Sequence, residues 1–260
     1  MNNIQDKQRN ERVTTLERAI FILDYLMETK EKPNFSQIAS ALNIPNGTAF
    51  NILKTLEKYG LIERDIVSKH YQLGMKLFQL GNHVESIREL REAAIPFMRE
   101  LTRNTRETSQ LGILFEDSLS FLEIIEGLST TTRAEISLKL PLHAPAAGKV
   151  LFAYQPEEVI AHILKRIDFP RFTKNTIVEP DQILAELQKV REQGYAIDDE
   201  EVFMGTVCLA APIFNHNKRV CAALGITGDA IRIKTNLESL IKAVQHGATN
   251  ISIRLGFIGR

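Results

Sequence analysis

Cysteine is scarce: Cys208 and Cys221 are the only two in 260 residues. Two cannot build the framework of a disulfide-stapled secreted domain, and their spacing is not that of a metal-ligand pair. Net charge is also missing. With 32 Lys/Arg against 32 Asp/Glu, bulk attraction to nucleic acid or to an anionic membrane gives no basis for a function. No apolar run approaches the ~18 residues of a membrane-spanning helix. The opening MNNIQDKQRNER is polar and has no apolar signal-peptide centre, so a protein that stays in the cytoplasm is expected. Neither a repeat nor a low-complexity tract interrupts the chain. What is present is 44% hydrophobic and 25% charged residues, enough for packed cores, in a length comfortable for two domains.

Residues 15–73 carry three short helical patterns and a strand-like pair. Thr14 or Thr15 caps a first helix whose apolar face is Leu16, Ala19, Ile20, Leu23, Tyr25 and Leu26. Ser36 is the expected N-cap of a second helix, Gln37–Leu42. Pro45 sits where the third begins, tolerated because the first N–H groups of a helix lack intrahelical partners. That third helix, Asn46–Tyr59, places Ala49, Ile52, Leu53 and Leu56 inward and stops at Gly60, suited to a left-handed cap. Leu61–Arg64 and His70–Leu73 read as strands joined by a polar turn. Lys76–Thr105 returns to helical spacing, with Leu77, Leu80, Val84, Ile87 and Leu90 in a stripe open to another subunit and Pro96 marking a break or a second start.

Beyond residue 105 strands and helices alternate. Strands are expected at Ser109–Phe115, Ser120–Ile125, Ala134–Leu138, Tyr195–Ile197, Thr206–Phe214 and Val220–Thr227. Helices are expected at Ala146–Tyr154, Pro156–Lys165, Pro180–Gln193 and Lys234–Leu255, with a hairpin turn at Asn215–Lys218. The division is then a winged helix-turn-helix domain at 13–75, a helical linker at 76–105 and an α+β domain at 106–260, a mostly antiparallel sheet covered by helices.

Three helices and a hairpin make a winged helix-turn-helix, whose third helix can enter a DNA major groove. With its aliphatics buried, that helix offers Asn46, Gly47, Thr48, Phe50, Asn51 and Lys54 outward. Asn pairs bidentately with adenine, Thr contacts phosphate, Phe touches a thymine methyl and Lys neutralises a phosphate. Ser36 and Gln37 on the second helix, and Arg64, Ser68 and Lys69 on the hairpin, complete the candidate DNA contacts. Against this, residues 1–75 hold ten Lys/Arg and nine Asp/Glu, helix-turn-helix units also serve as protein–protein modules, and a polar helix face is usually just solvated. Phe50 favours DNA, because an exposed aromatic among small polar residues needs a partner.

In the second domain, enzyme readings fail one by one. HAPAAGKV has His143 and Val150 where a phosphate loop needs Gly and Ser or Thr. No G-x-S-x-G elbow places a nucleophile. His143, His162 and His216 lack metal spacing, and no motif asks for a cofactor. The acidic run Asp198–Glu201 reads most simply as a solvated loop after a strand. Two alternatives stay open: a GAF-like enzyme with Cys208 and Cys221 as a redox pair, and a metal- or redox-sensing regulator using the same cysteines.

The runs TTLERAIFILDYL, FSQIASALNIPNGTAFNILKTLEKYGLIERD and YQLGMKLFQLG resemble the DNA-binding domain of the IclR (isocitrate lyase regulator) family of bacterial transcription regulators. ETSQLGIL, LPLHAPAAGKVLFA, REQGYAIDDEE, CLAAPIF and ALGITG resemble the effector-binding domain of that family, in the same order. The resemblance implies a regulator, more usually a repressor, that is a homodimer and often a homotetramer as a pair of dimers, with operator DNA and a small-molecule effector as partners. It implies a GAF/PAS-type cup lined by Ala146, Ala147, Asp198, Cys208, Gly225 and Thr227. Arg133, at the edge of that cup, reads either as a counter-charge or as an exposed strand arginine. Where the family commonly has a basic residue after the proline, then Ser-Thr and a later Arg, this chain has Asn46, Gly47-Thr48 and Asn51. Family members that take very small 2-oxo acids tend to have serines where this chain has Gly225 and Thr227. The expected effector is therefore a larger carboxylate, aromatic or longer-chain.

Overall fold

The computed structural model describes residues 13–29, 31–128, 139–166 and 168–259. The chain divides into two compact units, with the boundary between Glu85 and Ser86.

In the first unit, α1 (Thr15–Glu28) opens with a capping box in which the Thr14 hydroxyl accepts from the Glu17 amide and the Glu17 carboxylate accepts from the Thr14 amide. Its core face differs from the expected one. Ile22 and Leu26 are buried, whereas Leu16, Ile20 and Met27 are exposed, because a 100° helical step puts 16, 20 and 27 in a second stripe beside the first. The cap of α2 (Phe35–Ala41) is Asn34 rather than Ser36: the Asn34 side chain accepts from the Gln37 amide at 3.1 Å, and the Gln37 side chain accepts from the Asn34 amide at 2.8 Å. Asn can cap as well as Ser, and the reciprocal Gln three residues on decides the start. α3 (Asn46–Lys58) buries Ala49, Ile52, Leu53 and Leu56 as expected. Gly60, at φ +70°, turns the chain into β1 (Ile62–Arg64), which pairs antiparallel with β2 (Tyr71–Leu73). α4 (Met75–Asn82) follows and buries none of its residues.

The second unit begins with α5 (Glu85–Thr105), which runs unbroken through Pro96. The interruption expected there lies instead between α4 and α5. Pro96 is exposed, so the Glu92 carbonyl that lacks a helical donor can be hydrated. Of the expected stripe only Leu90 is fully buried.

β3 (Thr108–Phe115), β4 (Ser118–Ile125), β5 (Ala196–Asp199), β6 (Thr206–Phe214) and β7 (Val220–Asp229) form one antiparallel sheet of order β4-β3-β7-β6-β5. The strand expected at Ala134–Leu138 lies outside the described residues. Alternation along the strands builds two cores. Val207, Leu209, Leu224 and Ile226 point to one face, against Ala94 and Met98 of α5 and Val244 and Ile251 of α10 (Leu237–Arg254). Ala210 and Ala223 point to the other, against α6 (Ala146–Ala153), α7 (Glu157–Arg166) and α8 (Pro180–Gln193). The expected final helix is two helices, α9 (Ala230–Thr235) and α10, with Asn236 between them.

Candidate functional site

Two arrangements carry chemistry, one in each unit. In the first, the outward side of α3 is open. Asn46, Gly47, Phe50, Asn51 and Lys54 are exposed and Thr48 is half-buried. Phe50 is 55% exposed although every other large apolar side chain of α3 is at most 6% exposed. The N-cap is Pro45, and no side chain caps the helix, so its first amide groups are left to an outside acceptor. A Cβ on Gly47 would meet nothing within 4 Å. Ser36 is exposed, while the Gln37 side chain is held in the α2 cap. On the hairpin, Arg64 lies over the Tyr71 ring and the Ser68 hydroxyl donates to Asp65 rather than pointing away.

The second is a cavity between the sheet and α6, with about 590 Å³ of empty space counted out to its mouth. Six residues expected at the cup line it: Ala146, Ala147, Asp198, Cys208, Gly225 and Thr227. The seventh, Arg133, lies outside the described residues. Strand register explains the convergence. Asp198 pairs with Cys208 and Cys208 with Thr227, so three neighbouring strands present one cross-sheet row. The next row places Gly225 beside Gln110. Phe121, Leu140, Val202 and Phe203 supply apolar wall, and Gly225 cannot carry a side chain without moving backbone, since a Cβ would lie 2.9 Å from the Leu209 carbonyl oxygen. Above the sheet, α6 starts after Pro145, again with no side-chain cap, so the Ala146 and Ala147 amides stand at the cavity as donors.

The acidic run is not a solvated loop. Asp198 and Glu201 are 2% and 5% exposed, and only Asp199 and Glu200 reach the surface, where both pair with Lys234. Strand alternation at the end of β5 sends one acid of the first pair inward and the other outward. Asp198 Oδ1 accepts from the Glu201 and Val202 amides, at 2.7 and 3.3 Å. Burial pushes its carboxyl up to about 7, with the neighbouring Glu201 charge adding to the rise and Lys149 opposing it. Glu201 is paired with Lys149, a lysine 1% exposed whose Nζ also donates to the Ile197 carbonyl at 2.9 Å and lies 3.5 Å from Glu186. The sequence did carry a signal for this pair: Lys149 is the lone charge in the apolar helix AAGKVLFA, and such a charge requires a buried partner.

The cysteines do not form a pair. Cys208 sits opposite Thr227, its thiol 3.2 Å from the Thr227 hydroxyl, and Cys221 is six residues from Thr227 on the same strand, roughly 20 Å along it. A disulfide needs Cα atoms within about 7 Å. Burial, reinforced by Asp198, pushes the Cys208 thiol well above its usual range, so it is no nucleophile at neutral pH. Among the described residues no group of three or more His, Cys, Asp or Glu side chains could hold a metal. No helix among them is long and apolar enough to cross a membrane.

A winged helix-turn-helix with an open third helix, on one chain with a sheet-backed cavity, has the architecture of a DNA-binding transcription regulator. The family models agree: residues 15–65 match the IclR helix-turn-helix domain and residues 83–253 the C-terminal domain of bacterial transcriptional regulator IclR. The chain belongs to the IclR family, and its relatives are regulators rather than enzymes. It is 33% identical to the HTH-type transcriptional regulator XynR of Escherichia coli K12 across 94% of this chain and 98% of that one. It is 35% identical to the glycerol operon regulatory protein of Streptomyces coelicolor across 94% and 97%. Among solved structures, the Thermotoga maritima IclR shares 30% identity at a TM-score of 0.75 across 94% of this chain and 99% of that one. A homologue from Microbacterium hydrocarbonoxydans, solved in complex with 4-hydroxybenzoate, superposes at a TM-score of 0.86 with 24% identity, across 93% and 99%.

Proposed function

We propose that this regulator is a repressor that acts as a homodimer, with pairs of dimers as its tetramer, and that it leaves or grips its operator according to a carboxylate bound in the second unit. The observation that carries the reading is the cavity's lining, in which a few polar groups stand among apolar side chains. The polar groups are the amides at the start of α6 (Ala146 and Ala147), Gln110, Thr227 and Asp198. Amides at a helix start favour an anion, and an Asp198 carboxyl that is half protonated near neutral pH can donate to a carboxylate rather than repel it. Phe121, Leu140, Val202 and Phe203 then fit an aromatic or long aliphatic body. The 4-hydroxybenzoate of the Microbacterium homologue belongs to this chemical class.

DNA contact is assigned to Asn46, Gly47, Thr48, Phe50, Asn51 and Lys54 on α3, with Ser36 and Gln37 of α2 and Arg64 and Lys69 of the hairpin beside them. Exposure of the apolar stripe Leu16, Ile20 and Met27, and of Met75 and Phe78 on α4, supports pairing of two such units. Relatives named as repressors, such as AllR of Salmonella typhi, support the sign, and an operator as target is in keeping with a cytoplasmic protein. An effector shifts operator affinity only if it binds the gripping and released arrangements unequally. We assign that coupling to α5, which packs on the sheet face opposite the cavity through Ala94 and Met98.

The test is a mobility-shift titration on duplexes that the protein itself selects from a random pool, with and without 4-hydroxybenzoate. Asn51→Ala with Lys54→Ala should abolish the shift without altering sedimentation. Thr227→Val should keep the shift and blunt its response to the carboxylate. Full response from Thr227→Val, and from Asp198→Ala beside it, would remove the cavity from the reading.

A further inference from the structure

We infer that the hairpin tip is an apolar wedge for the DNA minor groove, with Ile66 and Val67 as its point. The inference rests on the DNA-binding reading of the first unit and goes beyond it, since α3 reads a different groove.

The turn between β1 and β2 is locked from inside. One carboxylate oxygen of Asp65 accepts from the Val67 amide at 3.0 Å, the Ser68 amide at 2.6 Å and the Ser68 hydroxyl at 2.9 Å. The Lys69 amide donates to the Asp65 carbonyl at 3.0 Å, and the Asp65 amide donates to that of His70 at 2.9 Å. Lys69 itself takes φ +61°, and its ammonium donates to the Ile66 carbonyl at 2.5 Å. A turn held this way spends its polar groups on itself and has little freedom left to lose on binding.

What it displays is apolar. Ile66 and Val67 are 83% and 90% exposed, the two highest values among the large hydrophobic side chains described. Neither packs on the core of its unit, so the fold gains nothing from them. The surroundings carry a small excess of positive charge. Lys32, Arg64 and Lys69 lie around the base of the tip against the two carboxylates of Glu63 and Asp65, which turn their oxygens inward to the Gln72 side chain, at 3.0 Å, and to the turn amides. Two branched side chains on a narrow projection cannot supply the roughly 800 Å² per partner of a stable protein interface. They do suit a slot about 6 Å wide whose floor offers a degenerate code, where apolar wedges enter between base steps and cations track the rims. A wedge senses how easily a step opens, so it prefers flexible pyrimidine–purine steps in the flank of the operator.

Selection of duplexes from a random pool, by the native chain and by Ile66→Ser with Val67→Ser, tests this. The substituted side chains are solvent-facing, so the fold is preserved. The native chain should enrich a central motif with TA or CA steps in its flanks. The double variant should enrich the same centre with featureless flanks, and should bind the native selection about tenfold more weakly. End-to-end fluorescence transfer on that duplex should show a smaller bend, and distamycin should displace the native chain but compete less with the variant. Unchanged flanks, affinity and bend in the variant would overturn the wedge while leaving the α3 contacts standing. A native pool without any enriched sequence would overturn the DNA reading and the wedge together. Loss of the dimer in the variant, seen by sedimentation, would assign the tip to a protein contact and overturn the proposal.

Discussion

Asp198→Asn separates the charge of the cavity acid from its hydrogen bonding. The amide oxygen can still accept from the Glu201 and Val202 amides, but the side chain no longer ionises. In the native chain burial holds the carboxyl at about 7 against an ordinary 3.8. Between those values the folded chain keeps a proton that the unfolded chain has released. Stability attributable to this group therefore falls as pH rises from the lower value to the upper, and is level above it. At ~1.4 kcal/mol for each tenfold change in proton affinity the full window is about 4 kcal/mol, an upper figure because local opening relieves part of it. His143 acts in the opposite sense: burial lowers it from 6.5, so its contribution is lost as pH falls. Subtracting the variant from the native chain cancels His143 and leaves Asp198. Urea unfolding of the full chain from about pH 5 to about pH 8 should show the native-minus-variant difference dropping by about 2–3 kcal/mol, with the variant the more stable at the alkaline end. A difference independent of pH would refute the buried, half-protonated acid and the carboxylate reading built on it.

Lys149→Met strands the buried Glu201 carboxylate, and should cost about 3–5 kcal/mol in denaturant unfolding. Adding Glu201→Gln should restore most of it, and a failure of the pair to recover would mean that Lys149 acts through something other than its charge. Gly225→Ser puts a Cβ 2.9 Å from the Leu209 carbonyl oxygen, so a loss of about 1–3 kcal/mol is expected from the strained packing, visible as a lower melting temperature with DNA binding intact. Gly74→Ala drives a Cβ to 2.2 Å from the Gly60 carbonyl oxygen, backbone that cannot step aside. Amide exchange should then report an opened hairpin in the first unit. Thr14→Ala removes the α1 cap and should lower stability by ~1 kcal/mol in the same unfolding assay.

The spacing of Ala49, Ile52, Leu53 and Leu56 placed α3 and its open face, because a single helix with one buried side leaves little else to decide. α1 was harder to read. Its two apolar stripes are equally regular in the sequence, and only the position of α2 and α3 selects Ile22 over Leu16. Pro96 misled for a related reason: proline removes one hydrogen bond, and that loss is small where the freed carbonyl faces water and the helix is pinned on its other side by Ala93, Ala94 and Met98.

The order of elements, the antiparallel character of the second unit and the open face of α3 were fixed by local periodicity and turn chemistry, which act within a few residues. The cavity was not. Asp198, Cys208 and Thr227 share a row only because β5, β6 and β7 take one register, and Lys149 meets Glu201 across 52 positions of sequence. Burial of the acid, its raised proton affinity and its cation all arise from desolvation and contact between distant segments. Those are properties of the packed sheet and helix, and no short stretch of chain contains them.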